Sequence, residues 1–299
     1  MAKRTARSVV YLSMVLLAGS AALADSAAAA VGETSYPTIQ SAIDAASPGA
    51  VIEIEPGTYV ENLTTDKPLT LLGNNRQGDI LLQAADPESP AISIRGGGLV
   101  AVSGFTITGS NAGVQVDETQ VLLHDNSISV QEAGIQGWNF AQTGSVVMGN
   151  HFVGPSSGHL LYGTGLILLG VADWTVIGNT FEDLATGLLL AGGAAIHVEN
   201  NQVSACGNGI RIGSVASVTL LQNEIVGNCV SGIVLSESAS VQLTENTIRS
   251  NAQCGVRLAD PVESFTGAVT GSGNDIGGNG RVNLYPVTFA WPKGFSREP

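Results

Sequence analysis

Arg211 and Arg257 occupy the same place in a recurring tetrad, Gly209-Ile210-Arg211-Ile212 and Gly255-Val256-Arg257-Leu258. Two guanidinium groups held at a fixed separation can each grip a carboxylate through paired N–H donors, so the chemistry they offer is recognition of an acidic chain. The alternative is a solvated pair that relieves an acidic surface. Gln136 holds a similar slot in a weaker tetrad that begins at Gly134. Trp138, with Phe140 in one loop, and Tyr162, in the longest insertion, offer aromatic faces for sugar rings, or else shield exposed backbone edges. That insertion also holds Gly158-His159-Leu160. Histidine side chains ordinarily exchange protons near neutrality, so His159, with Arg211, is a candidate for catalysis. His197 and Glu199 share the outward side of one strand and read as a solvated pair. Cys206, Cys229 and Cys254 form no C-x-x-C pair, and their odd number permits at most one internal disulfide. Cys206 and Cys229 are one repeat apart, so they read either as that pair or as small core residues. No metal or cofactor site is expected.

The elements that must position these residues come from a repeat. Half of each unit reads apolar-x-apolar-x-x-Asn-x-apolar. Its asparagines are Asn126, Asn150, Asn179, Asn201, Asn223, Asn246 and Asn274, at spacings of 24, 29, 22, 22, 23 and 28. The other half is the Gly-apolar-x-apolar tetrad, which begins at Gly113, Gly165, Gly187, Gly209, Gly232 and Gly255. Alternation of period two marks strands with one buried face. Each unit therefore holds three short strands, enough for one three-sided coil. The expected fold is all-β, a single right-handed parallel β-helix, with asparagines stacked at one corner as an amide ladder. Asparagine suits that corner because it tolerates left-handed backbone angles and can bond to the coil above. A leucine-rich solenoid would need a leucine-dense consensus, and propeller blades need about 40 residues per unit.

Composition agrees. Apolar residues make up 44% of the 299, charged residues only 12%, and there are 38 glycines, which suits stacked strands better than a helical bundle. Lys3, Arg4 and Arg7 precede an apolar run from Val9 to Ala18, and Ala22-Leu23-Ala24 offers a cleavage site. Residues 1–24 therefore read as a secretory signal peptide, with a second site ending at Ala30. Removing those three basic groups from the 12 leaves 9 Lys and Arg against 25 Asp and Glu, a formal charge of −16. Such a surface repels nucleic acid and anionic membranes. The mature chain is expected to be secreted, periplasmic or at the cell surface, monomeric and without a membrane span.

Residues 25–35 read as a linker and 36–281 as the solenoid. Ile39, Ala42, Ile43 and Ala46 fall on one face of a helix over 38–46 that would cap the first coil. Residues 282–299 break the repeat, and Tyr285, Phe289, Trp291 and Phe295 would pack over the last coil.

The stretches Tyr36-Pro37-Thr38-Ile39-Gln40-Ser41-Ala42-Ile43-Asp44, Pro56-Gly57-Thr58-Tyr59-Val60-Glu61-Asn62 and Lys67-Pro68-Leu69-Thr70-Leu71-Leu72-Gly73 resemble the N-terminal segment of pectin lyase-like proteins. The resemblance, with the Asn-bearing coils, covers nearly the whole mature chain. It implies a superfamily of secreted polysaccharide lyases, hydrolases, epimerases and esterases with many non-catalytic relatives. It also implies a groove along the outer face of one stacked sheet, here the positions Gln115, Gln136, Ile167, Leu189, Arg211, Val234 and Arg257. Fold alone does not fix chemistry. Gly57-x-Tyr59-x-Glu61 resembles the first motif of pectin methylesterases, but their Asp pair and Leu-Gly-Arg-Pro-Trp motif are missing. Gly158-His159-Leu160 and Arg211-Ile212-Gly213 resemble parts of the polygalacturonase pattern without its paired acids. Mannuronan epimerases carry an Asp-Pro-His-Asp motif, whereas this chain has Asp86-Pro87-Glu88-Ser89. The expectation is a polysaccharide-binding or envelope protein, with a lyase or hydrolase acting on uronate-containing glycans as the rival and a purely structural envelope protein as a third possibility.

Overall fold

In the computed structural model the described residues are 29–31, 36–74, 78–138, 144–155, 162–213, 217–259, 261, 264–293 and 295. The signal-peptide segment, Phe140 and His159 lie outside them. The chain winds as a parallel β-solenoid with three sheets of eleven, ten and ten strands. One coil runs, for example, from Gln120–His124 in the first sheet through Ser127–Ser129 in the second to Ala133–Trp138 in the third. Each strand pairs in parallel with its counterpart one coil away, so residues at equal steps form columns about 4.8 Å apart. Inward columns fill the core with Val, Ile, Leu and Phe. In the second sheet Phe152 and Phe181 stack with ring centroids 4.6 Å apart.

The corner between the first and second sheets carries the amide ladder. Each Asn side chain donates from Nδ2 to Oδ1 of the next, from Asn126 through Asn150, Asn179, Asn201, Asn223 and Asn246 to Asn274, every step 3.0 Å. The same Oδ1 also accepts from the backbone N–H one coil back, and Nδ2 also reaches a carbonyl of the preceding coil, as between Asn223 and Val198 at 2.9 Å. The backbone explanation of this corner needs correction. The left-handed residue is the one before the asparagine: Asp125, Gly149, Gly178, Asn200, Gln222, Glu245 and Gly273 all have positive φ. The ladder position selects Asn for its amide, because a buried side chain there must both donate and accept.

A second ladder, which the repeat analysis missed, runs along the corner between the second and third sheets. Asn228, Asn251, Asn279 and Asn283 link Nδ2 to Oδ1 at 2.9 Å per step. Cys206 heads it: its N–H donates to Asn228 Oδ1 at 3.1 Å, and its thiol points at the Phe181 carbonyl, as Asn228 Nδ2 points at Val203 O. The signal was present, since Asn228, Asn251 and Asn279 each lie five residues after a first-ladder asparagine, and Cys206 lies five after Asn201. All three cysteines are free thiols; Cys206 and Cys254 are buried and Cys229 is exposed. Burial pushes the Cys206 thiol up to about 12.

Both ends differ from the sequence expectation. Ala29–Val31, read as linker, is the outermost strand of the first sheet and pairs with Ile52–Ile54. Val282–Tyr285, read as tail, is the last strand of the third sheet and pairs with the strand holding Arg257. The solenoid closes only beyond it. Trp291 and Phe295 are buried, and Phe289 packs edge-on against both Phe265 and Trp291. At the front, a helix over Ile39–Ala45 buries Ile39, Ala42 and Ile43 against the first coil.

Candidate functional site

The tetrad glycines explain how the outer face of the third sheet is built. A Cβ on Gly209 would lie 2.5 Å from the Gly232 carbonyl oxygen and 2.7 Å from Ile225 Cγ2, and the same clash recurs at the other stacked glycines. Only glycine lets one coil seat against the next there, and the two residues that follow then present alternate faces.

The outward member of each tetrad falls into one unbroken register. Thr64 pairs with Ser93, Ser93 with Gln115, Gln115 with Gln136, and Gln136 with Ile167. Leu189, Arg211, Val234, Arg257 and Tyr285 continue it. The column is polar at its N-terminal end, apolar in the middle and basic beyond. Arg211 is exposed, Arg257 is half-buried, and Val234 between them is buried despite facing outward. Arg257 Nε is buried without a hydrogen-bond partner. Tyr285, half exposed, ends the column; the sequence reading had placed it over the core, because Asn283 replaces the tetrad glycine and hides the repeat.

The aromatic candidates lie on strands rather than in loops. Trp138 ends the strand Ala133–Trp138, and Tyr162 begins Tyr162–Leu169. Trp138 pairs with Leu169, at the opposite end of the strand from Tyr162, so the two flank the face about 20 Å apart. Each remains about half exposed, at 44% and 51%. A position shared by both around one sugar is excluded by that spacing.

Other sequence candidates resolve into structural work. Glu61 accepts from the Ile39 N–H at 2.9 Å and the Gln40 N–H at 3.0 Å, clamping the first turn of the capping helix with a negative charge. The esterase-like motif is thus an anchor for the cap. Asp86 accepts from the Glu88 N–H and the Ser89 hydroxyl, and those bonds hold its carboxyl below the usual range. His197 and Glu199 are half-buried on the first sheet, where His197 pairs with Thr175 and Thr219. A contact the sequence did not suggest joins His151 to Glu182 on the second sheet. Among the described residues, no three His, Cys, Asp or Glu side chains converge as a metal site would require.

At its N-terminal end the column runs into a cavity of about 520 Å³ between the third sheet and the capping helix. Asp44, Thr64, Asp66, Lys67, Ser93 and Arg95 contribute to its walls.

The model of the family described as "Right handed beta helix region" matches residues 90–248 and 164–281, which together span more than half of the chain. The chain belongs to this family.

Among solved structures, this β-helix protein superposes on an alginate lyase from Paenibacillus sp. str. FPU-7 with a TM-score of 0.64 at 14% identity, covering 87% of this chain and 96% of that one. It also resembles the periplasmic alginate epimerase AlgG, with a TM-score of 0.53 at 13% identity over 82% of this chain and 74% of that one. These likenesses show a shared pectin lyase-like fold. In sequence, 107 residues are 31% identical to a "Cell surface glycoprotein" of Methanothermus fervidus, 35% of this chain but only 17% of that protein. No helix among the described residues of the β-helix protein is long and apolar enough to cross a membrane.

Proposed function

We propose that this protein acts outside the cytoplasm and binds an extended, acidic polysaccharide along the outer face of its third sheet. The observation that carries the reading is the single register from Thr64 to Tyr285, which sets Arg211 and Arg257 two coils, about 10 Å, apart on one line. A polymer lying along the solenoid axis meets both guanidinium groups in turn, with Trp138 and Tyr162 at the margins. The exposed Arg211 guanidinium offers a fork of N–H donors to a ligand carboxylate. The fold shared with proteins named for alginate, and the stretch similar to a cell surface glycoprotein, support a glycan partner and an envelope or extracellular location.

The test is an array of alginate, polygalacturonate and neutral glucans probed with the wild type, Trp138→Ala and Arg211→Ala/Arg257→Ala. Binding to the uronate polymers is expected, weakened by roughly tenfold in Trp138→Ala and more in the double variant. Wild-type affinity should also fall with added salt. Equal binding by all three proteins, or a preference for the neutral glucans, would rule this face out.

A further inference from the structure

Resting on that reading, we propose that the cavity under the capping helix is an end-stop that seats the terminal sugar of the bound chain, so that the protein grips polysaccharide by its end. Thr64 and Ser93 belong both to the cavity wall and to the outward column, so the two surfaces are continuous. Gln40, Ile43 and Asp44 of the helix line the same cavity, so the helix forms its far wall. A chain laid on the column toward the N-terminal end meets protein there rather than open solvent.

The obstruction is fixed. Glu61 clamps the helix N-terminus through two N–H groups. Gln40 bonds Thr64 in both directions, accepting from its N–H at 2.8 Å and donating to its carbonyl at 3.1 Å. Lys67 Nζ donates to the carbonyls of Asp44 and Ala46 at the far end of the helix. Three attachments along one short helix leave it no hinge on which to swing aside.

The lining suits a sugar with several free hydroxyls. Asp44 and Asp66 supply carboxylates that accept from neighbouring hydroxyls, and Arg95 supplies a fork of donors. Asp44, Asp66 and Arg95 are exposed, and the ion pairs among the described residues all lie elsewhere. Arg95 and the carboxylates therefore face one volume without a direct ion pair between them. About 520 Å³ falls within the range of small-ligand sites.

The experiment measures binding stoichiometry by calorimetry, with alginate and polygalacturonate each prepared as short and long chains of narrow length distribution. The wild type is expected to saturate at one protein per chain whatever the length, and its affinity per unit mass should be about tenfold higher for short chains than for long ones. The variant Asp66→Asn/Arg95→Gln, changed only at exposed positions, should keep one copy per chain but bind the short chains about tenfold more weakly. Wild-type saturation in proportion to chain mass would overturn the end-stop while leaving the groove intact. So would equal affinity of the wild type and the variant for the short chains. If neither polymer binds the wild type at all, the groove reading fails and the end-stop falls with it.

Discussion

Two columns of side chains run along this solenoid with the same coil-to-coil step. At the first corner, every position from Asn126 to Asn274 is asparagine, each bonded to the next at 3.0 Å. On the outer face of the third sheet, the column from Thr64 to Tyr285 changes residue almost every step. The backbone treats them alike, so the difference comes from what each side chain meets. A buried amide meets two carbonyls and two N–H groups that have no water to turn to, and one residue type satisfies them. An outward side chain meets solvent or ligand, and its identity is free to follow function.

The largest expected break in that comparison is Asn223→Ala. It strands the Asn201 N–H, the Asn201 amide and the Val198 carbonyl. Chemical unfolding should register a loss of about 3 kcal/mol. Arg211→Ala, one sheet away and on the exposed column, should move stability by less than about 0.5 kcal/mol. Similar losses from the two would contradict the division between corner and face.

Glu61→Ala should fall between them. It removes the two hydrogen bonds that hold the helix start, and about 1–2 kcal/mol of stability is expected to go with them. Protease nicking near residues 38–46 would reveal the loosened cap. Cys206→Asn sharpens the comparison inside the core, because it extends the second ladder by one amide. Unfolding free energy within about 1 kcal/mol of wild type would show that the thiol fills an amide's place.

The smallest effect concerns alkaline pH. The Cys206 thiol lies above its ordinary value of 9.0, at about 12, because burial disfavours the thiolate. The unfolded chain releases this proton first, so the contribution to stability is intact below about 9 and declines as pH rises toward 12. Unfolding midpoints measured across that window should fall less in Cys206→Ala than in wild type. Thiol labelling at neutral pH should modify exposed Cys229 first and Cys206 last.

Much of this was legible in the chain itself. Asn-bearing repeats and glycine tetrads determined a solenoid of three-stranded coils, because a period-two pattern recurring at about 22 residues has few other ways to bury its apolar face. The outward slots, Arg211 and Arg257 among them, follow from the same alternation. Other features depend on which atoms meet across coils that are distant in sequence. Only the folded chain shows that the left-handed residue precedes each asparagine, that Trp138 and Tyr162 stand at opposite edges, and that Glu61 holds a helix. Tyr285 joined the column only once its strand was seen to pair, since Asn283 had replaced the glycine that marks the repeat. The cavity at the N-terminal end was hidden for the same reason: its walls come from a helix and two successive coils, and no local pattern records where those surfaces meet.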